Sequence, residues 1–197
     1  FITFFFLKDS KLFENSILAF IANNSVKRTR NSFSKISDLL SRYFVGLMIQ
    51  ILVLFIIYTI VLLIFGINNA FVIAFICALM NLIPYVGPLI SGFLMMILTM
   101  TSNMGASFSE VVIPKTTYVM IGFIIGQLID NFVSQPIIFS KSVKSHPLEI
   151  FIVIITSGLL FGVIGMVVAI PTYTAVKVIL KEFLYDYKFV QKLTKDL

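Results

Sequence analysis

The chain has one cysteine, one histidine, no tryptophan and nine acidic residues among 197. A single cysteine, Cys77, excludes an intramolecular disulfide, and its place in an apolar run reads as a small packing residue. A single histidine, His146, cannot build a metal site with a cysteine so far along the chain, so no metal or other cofactor is expected. Without tryptophan, any aromatic belt at a membrane interface must come from Tyr and Phe. The most telling absence is charge. Tyr43 to Ser109 is a run of 67 residues with none. With 59% hydrophobic and 12% charged residues, the composition cannot supply the surface of a soluble domain. Uncharged apolar runs of about 18 residues or more mark membrane spans.

The missing motifs narrow the function. No P-loop, G-x-G-x-x-G fingerprint or G-x-S-x-G elbow is present, so ATP-driven transport would need another chain. Asp130 is the only acid inside its span, so a pair of facing carboxylates for intramembrane proteolysis is lacking. The expected protein is not an enzyme. His146, followed by Pro147 and Glu149, reads as a turn at a helix start rather than a catalytic group.

The net charge is +6 and is unevenly placed. Lys8 to Arg42 holds seven Lys/Arg against three acids, and Lys177 to the end holds five against three. Flanking membrane spans, such basic ends are read as cytoplasmic rather than as a nucleic-acid surface. Residues 1–7 read as the tail of an upstream apolar segment, since the opening FITFFFLKDSK lacks the basic stretch and cleavage site of a signal peptide. Residues 8–42 read as a cytoplasmic amphipathic helical segment, 43–176 as the transmembrane domain, and 177–197 as a cytoplasmic C-terminal helix.

Within 43–176, Phe44–Gly66 is long enough to cross a bilayer, and Gly66 with Asn68 and Asn69 marks a turn beyond it. Ala70–Ile83 and Leu89–Thr101 are too short to cross comfortably alone. Between them lies NLIPYVGP, where Pro84 and Pro88 remove two amide donors and Gly87 permits a turn. Thr101–Pro114 reads as a polar loop, Pro114–Val133 as the next span, and Ile150–Val176 as a long uncharged run carrying Gly158, Gly162, Gly165 and Pro171. The fold class is therefore all-α and polytopic. Two topologies satisfy the charge bias: two spans each followed by a re-entrant helical hairpin, or six full crossings with two very short helices. The hairpin version implies an inverted repeat, as in many secondary transporters. Gln50 and Gln127, and Gly87 and Gly165, are spaced to suit it.

Two features carry candidate function. A break in a lipid-facing helix would strand backbone N–H and C=O groups, so NLIPYVGP must be sheltered by protein or line a polar cavity. Asn81, Pro84, Gly87 and Pro88 are its candidate site residues, and a proline kink used only for packing is the competing reading. The second feature is QLIDNFVSQP, where helical spacing puts Gln127, Asp130 and Asn131 on one face, with Gln135 beyond. A carboxylate in a span normally faces the protein interior. It reads either as a proton or cation site on a polar pathway, or as a terminal acid paired with Lys141 or Lys144.

NLIPYVGPLISGF, QLIDNFVSQPIIFSKSVKSHPLEIFIVI and SGLLFGVIGMVVAIPTYTAVKVI occur in that order. With their P-Y-V-G-P, D-N-x-x-x-Q-P, H-P-L and G-x-x-G-x-x-x-A-x-P elements, they closely resemble the C-terminal half of the AI-2E transporter family, the autoinducer-2 exporter-like permeases. The resemblance implies further N-terminal spans and a homo-oligomer in a bacterial inner membrane. It also implies export of autoinducer-2 or, in some members, exchange of sodium or lithium for protons. By analogy Pro84, Gly87 and Pro88 form one motif, Asp130, Asn131, Gln135 and Pro136 a second, and Gly162, Gly165 and Pro171 a third. The expected partners are the lipid bilayer, a small polar solute or cations, and further copies of the chain. The alternative function is a membrane scaffold whose broken helices only pack.

Overall fold

The computed structural model describes residues 26–135 and 146–185, and positions 187, 190, 191 and 194. The expectations for 1–25, Pro136, Lys141 and Lys144 lie outside the described residues. All described regular structure is helical. In chain order the elements are α1 (Val26–Ile64), α2 (Ala70–Met80), α3 (Val86–Ser102), α4 (Phe108–Ser134) and α5 (Pro147–Phe183). By length and composition α1 and α4 can each cross a membrane as single helices, α5 reaches that length only with its two arms taken together, and α2 and α3 are shorter apolar helices.

The change from basic to apolar composition near Tyr43 is not a break in secondary structure. Residues 26–42 and the span beyond them form one helix of 39 residues. Its membrane part buries Tyr43, Leu47, Gln50, Leu54, Tyr58 and Leu62, which recur every three or four residues and so share one face. The opposite face leaves Phe44, Met48, Leu52, Ile56, Ile60 and Leu63 exposed, as a lipid-facing stripe requires. The helix ends where Gly66 turns left-handed (φ 63°). Ile67 N donates to Leu62 O at 3.0 Å and Gly66 N to Leu63 O at 3.1 Å, satisfying two carbonyls of the last turn. The expected turn at Gly66–Asn69 is there, with Asn69 also left-handed.

The chain reverses between Met80 and Val86, and α2 packs on α3 as a helical hairpin. Pro84 lies in the break and Pro88 in the first turn of α3, where a missing amide leaves no intrahelical bond unmade. Gly87 allows the two arms to meet: a Cβ there would strike the carbonyl of Met80 and the Cα of Asn81. Leu54, Tyr58 and Leu62 of α1, Ala74, Cys77 and Ala78 of α2, Met95 of α3, and Val119 and Phe123 of α4 form the main apolar core.

α4 begins at Phe108, so the expected loop over Thr101–Pro114 is shorter than its polarity suggested. Glu110 sits in the first turn, where an acid complements the exposed amides of a helix start. Both ends of α4, Phe108–Val112 and Asp130–Ser134, are wound as π-helix.

α5 opens at His146, whose Nδ1 accepts from Leu148 N at 3.3 Å, with Pro147 next, as expected for a helix start. The helix reverses at Gly162 (φ 65°, ψ −151°), a conformation essentially reserved for glycine. Two close approaches show the reversal. A Cβ on Gly158 would strike the Met166 side chain, and one on Gly165 the carbonyl of Ser157. In a straight helix those groups would be about 12 Å apart. Ile150 and Ile154 of the first arm share a second apolar cluster with Ala169 and Ile170 of the second arm, together with Tyr43, Leu47 and Ile83. α5 is thus a second helical hairpin. The described order is helix, hairpin, helix, hairpin, and in each hairpin the glycine after the reversal, Gly87 or Gly165, fits against a carbonyl of the preceding arm.

The described residues fall into two compact units, one being Arg42–Ile170 and the other drawn from 1–41 and 171–197. In the second, Lys177 is buried with its Nζ 5.8 Å from the Tyr173 ring centroid, and Lys181 Nζ donates to Thr194 O at 3.4 Å. α5 runs on from the uncharged stretch through Lys177 to Phe183.

Candidate functional site

The break after α2 does not leave its backbone stranded. Asn81 N donates to Ala78 O, Leu82 N to Leu79 O and Ile83 N to Met80 O at 3.0–3.2 Å, the tighter winding common at helix ends. Gly87 N then donates to Ile83 O at 2.8 Å, opening α3. Side chains take up other carbonyls. Asn81 Nδ2 donates to Cys77 O at 2.9 Å, Ser91 Oγ to Pro88 O at 3.2 Å, and the Cys77 thiol to Ser91 O at 3.5 Å. The hairpin supplies its own polar partners.

One side of this turn faces α1 and α4. Gln127 Nε2 donates to Asn81 Oδ1 at 3.0 Å and to the Tyr58 hydroxyl at 2.7 Å. Asn81 Nδ2 also lies 3.4 Å from Ser91 Oγ. Tyr58, Asn81, Ser91 and Gln127 are all buried, so four helices meet in one buried polar network. The Tyr58 ring stacks on Phe123, which fixes the hydroxyl toward Gln127.

Further along α4, Asp130 is 1% exposed. Its Oδ2 accepts from Gln50 Nε2 at 2.8 Å and from Gln135 Nε2 at 3.2 Å. The π-turn lets Gln135 N bond the Asp130 carbonyl, bringing the Gln135 side chain back over the carboxylate. Such widened turns recur at functional sites. Asn131 does not share the buried face expected for it. It is exposed, and its Oδ1 accepts from Gln135 at 2.8 Å. Two oxygens here are buried and accept no hydrogen bond from protein atoms: Gln127 Oε1 and Asp130 Oδ1. They belong to side chains one turn apart on α4. Both are acceptors, so together they would receive a proton, a cation or a hydroxyl donor.

The predicted residues therefore divide. Asn81 and Gln127 join in one network, Asp130 and Gln135 in a neighbouring one, and Gly87 and Pro88 shape the turn behind Asn81. Gly162 and Gly165 shape the second hairpin, whose tip residues Leu159, Leu160, Phe161 and Ile164 are strongly exposed. A recess of about 460 Å³, lined by Ile97, Met100, Asn103, Met104, Phe108 and Val112 among others, opens where α3 passes into α4 and reaches none of the predicted residues. Sequence reasoning missed Tyr58 and Ser91 as network members. It noted Gln50 only as a repeat marker, yet Gln50 binds Asp130 while Gln127 binds Tyr58. Their signal was position: Gln50, Leu54 and Tyr58 lie along the buried face of α1.

Comparisons with known proteins place the chain in a family. The family model for AI-2E family transporter matches residues 1–185. In Bacillus subtilis (strain 168), "Putative transport protein YrrI" is 27% identical over 93% of this chain and 50% of its own length. "Putative transport protein YueF" of the same organism is 29% identical over 90% of this chain and 46% of its own length. The chain thus spans about half the length of these curated relatives. No solved structure matches it. With the family match covering nearly the whole chain, and apolar helices able to cross a bilayer, this is an integral membrane protein belonging to the AI-2E transporter family.

Proposed function

We propose that the chain forms the site-bearing part of a secondary transporter in a bacterial inner membrane, moving a small polar solute such as autoinducer-2 or exchanging cations for protons. The observation that carries this reading is the pair of buried oxygens, Gln127 Oε1 and Asp130 Oδ1, that no protein donor satisfies. Burying such groups unpaired costs about 1–3 kcal/mol each, a cost that a passing ligand would offset. Asp130 is the coupling group. Asn81 and Gln127 act as neutral ligands, and Tyr58 and Gln50 orient them. Gly87 and Pro88 hold the first break open, while Gly162 and Gly165 shape the second. In this scheme α1 runs outward, α2–α3 enter from outside as a re-entrant hairpin, α4 returns, and α5 enters from the cytoplasm, with the basic segments inside. Homo-oligomers complete the transporter.

The test is Asp130→Asn in the full-length protein, reconstituted in proteoliposomes with and without a proton or sodium gradient. Gradient-coupled flux should fall by about tenfold, as for loss of one charged partner in a buried site, with expression and melting temperature retained. Flux equal to the parent's would remove the coupling role.

A second reading has one observation in its favour: the turn bonds the Cys77 and Pro88 carbonyls internally, as a break used only for packing would. A scaffold of that kind predicts a network closed to solvent from both sides.

A further inference from the structure

Tyr85 stands in the middle of the broken turn with φ 66° and ψ −49°. Val86 N donates to Pro84 O at 2.8 Å around it. This is a γ-turn with positive φ at its centre, the rare and strained form. A tyrosine has no intrinsic reason to adopt it, because its Cβ makes the left-handed half of φ/ψ space costly. Something outside the turn must hold it.

The turn's neighbours identify what does. The Tyr85 ring meets the Phe151 ring edge-on, with centroids 5.5 Å apart and planes at 82°. Phe151 lies in the first arm of the second hairpin. Around that contact, Ile83 with its neighbours Leu82 and Val86 packs into the cluster built from Ile150, Ile154, Ala169 and Ile170 at the base of the same hairpin. One side of the 81–85 turn therefore rests on the second hairpin. The other side carries Asn81, bonded to Gln127 and Ser91.

We infer that Tyr85 and Phe151 are a positioning pair. Their contact holds the strained turn, and through it makes the Asn81–Gln127 bond depend on where the second hairpin sits. If the second hairpin moves away, the Tyr85 ring loses its support and the backbone can relax into an ordinary φ. That relaxation rotates the peptide units between Asn81 and Gly87. Gly87 is packed against both the Met80 carbonyl and the Asn81 Cα, so a rotation of the turn is passed on to Asn81 and draws its side-chain amide from Gln127. A strained turn with a relaxed alternative is a two-state element, which physical coupling between distant parts requires. The coupling is a property of the fold and holds whether or not the network carries a solute.

The experiment reads the network's closure chemically. In full-length protein in nanodiscs, with Cys77→Ala and Ser91→Cys as background, N-ethylmaleimide should modify position 91 slowly, because Ser91 is fully buried. Tyr85→Ala and Phe151→Ala should each raise the rate about fivefold, the size of an ordinary contact coupling. The double variant should be no faster than either single one, and Tyr85→Phe should match the background. Phe151→Leu keeps the apolar volume and should raise the rate in the same direction, which covers the case in which Phe151→Ala fails to fold. Rates unchanged by either aromatic removal would overturn the inference. So would a double variant showing the product of the two single effects. Flux measured on the parent protein, which keeps Ser91 and Cys77, separates this result from the transport proposal: non-additive labelling with no parent flux leaves the coupling standing and the transporter reading failed.

Discussion

Gly87→Ala is expected to destabilise the protein more than any other glycine-to-alanine change in the first hairpin, by about 3 kcal/mol. The added Cβ would meet the Met80 carbonyl and the Asn81 Cα, which are backbone atoms unable to swing aside. Gly92→Ala is the internal comparison. There the Cβ meets the Phe123 ring at 3.0 Å, a side chain that can tilt, and a loss of about 1 kcal/mol or less is expected. The second hairpin repeats the contrast. Gly165→Ala strikes the Ser157 carbonyl and should be severe, whereas Gly158→Ala meets the flexible end of Met166 and should be mild. Thermal unfolding of the detergent-purified variants measures all four. Equal losses at Gly87 and Gly92 would mean that the arms are not held at the separation described.

The second large effect is expected at Gln50, a residue that composition would rank among ordinary polar exceptions in a span. Gln50→Leu is close in volume but removes the 2.8 Å donor to Asp130 Oδ2. It takes the nearest donor from a buried carboxylate, leaving Gln135 at 3.2 Å from Oδ2 and Oδ1 already unpaired. A loss of about 2 kcal/mol follows from stripping a buried polar group of a partner. Adding Asp130→Leu should recover much of that loss, because replacing both partners by apolar groups can be nearly neutral. The cycle is read from melting temperatures in detergent. A double variant as unstable as the sum of the two singles would show that the residues act independently.

These residues also show where sequence reading reaches its limit. The break at NLIPYVGP was legible because proline and glycine act locally: missing amides and a missing Cβ constrain the backbone whatever surrounds it. The second hairpin was one of two topologies that the charge bias allowed, with its break expected at Gly165, and the reversal falls three residues earlier at Gly162. Partnerships were less legible. Asp130 stood out as a lone acid, but nothing local assigns it Gln50 from another helix, or assigns Tyr58 to Gln127. Such pairings arise only when α1 and α4 pack. Asn131 shows the converse error. Ideal spacing placed it beside Gln127 and Asp130, and the π-turn at Asp130–Ser134 lies where that spacing no longer applies. α1 runs straight through Tyr43, where only polarity changes, because helix formation does not depend on polarity and no proline interrupts Val26–Ile64. The strained turn at Tyr85 had no sequence signal, since tyrosine is an unfavourable choice for positive φ.

The central claim is that the broken turn brings Asn81 and Gln127 to a place that solute or ions can enter. The direct measurement is modification of Asn81→Cys, in full-length protein with Cys77→Ala, by a charged membrane-impermeant thiol reagent added from each side in turn. Modification from at least one side, slowed by saturating transported substrate or coupling ion, is the predicted result. Complete inertness from both sides, in protein that melts like the parent, would contradict it and leave the turn as packing alone.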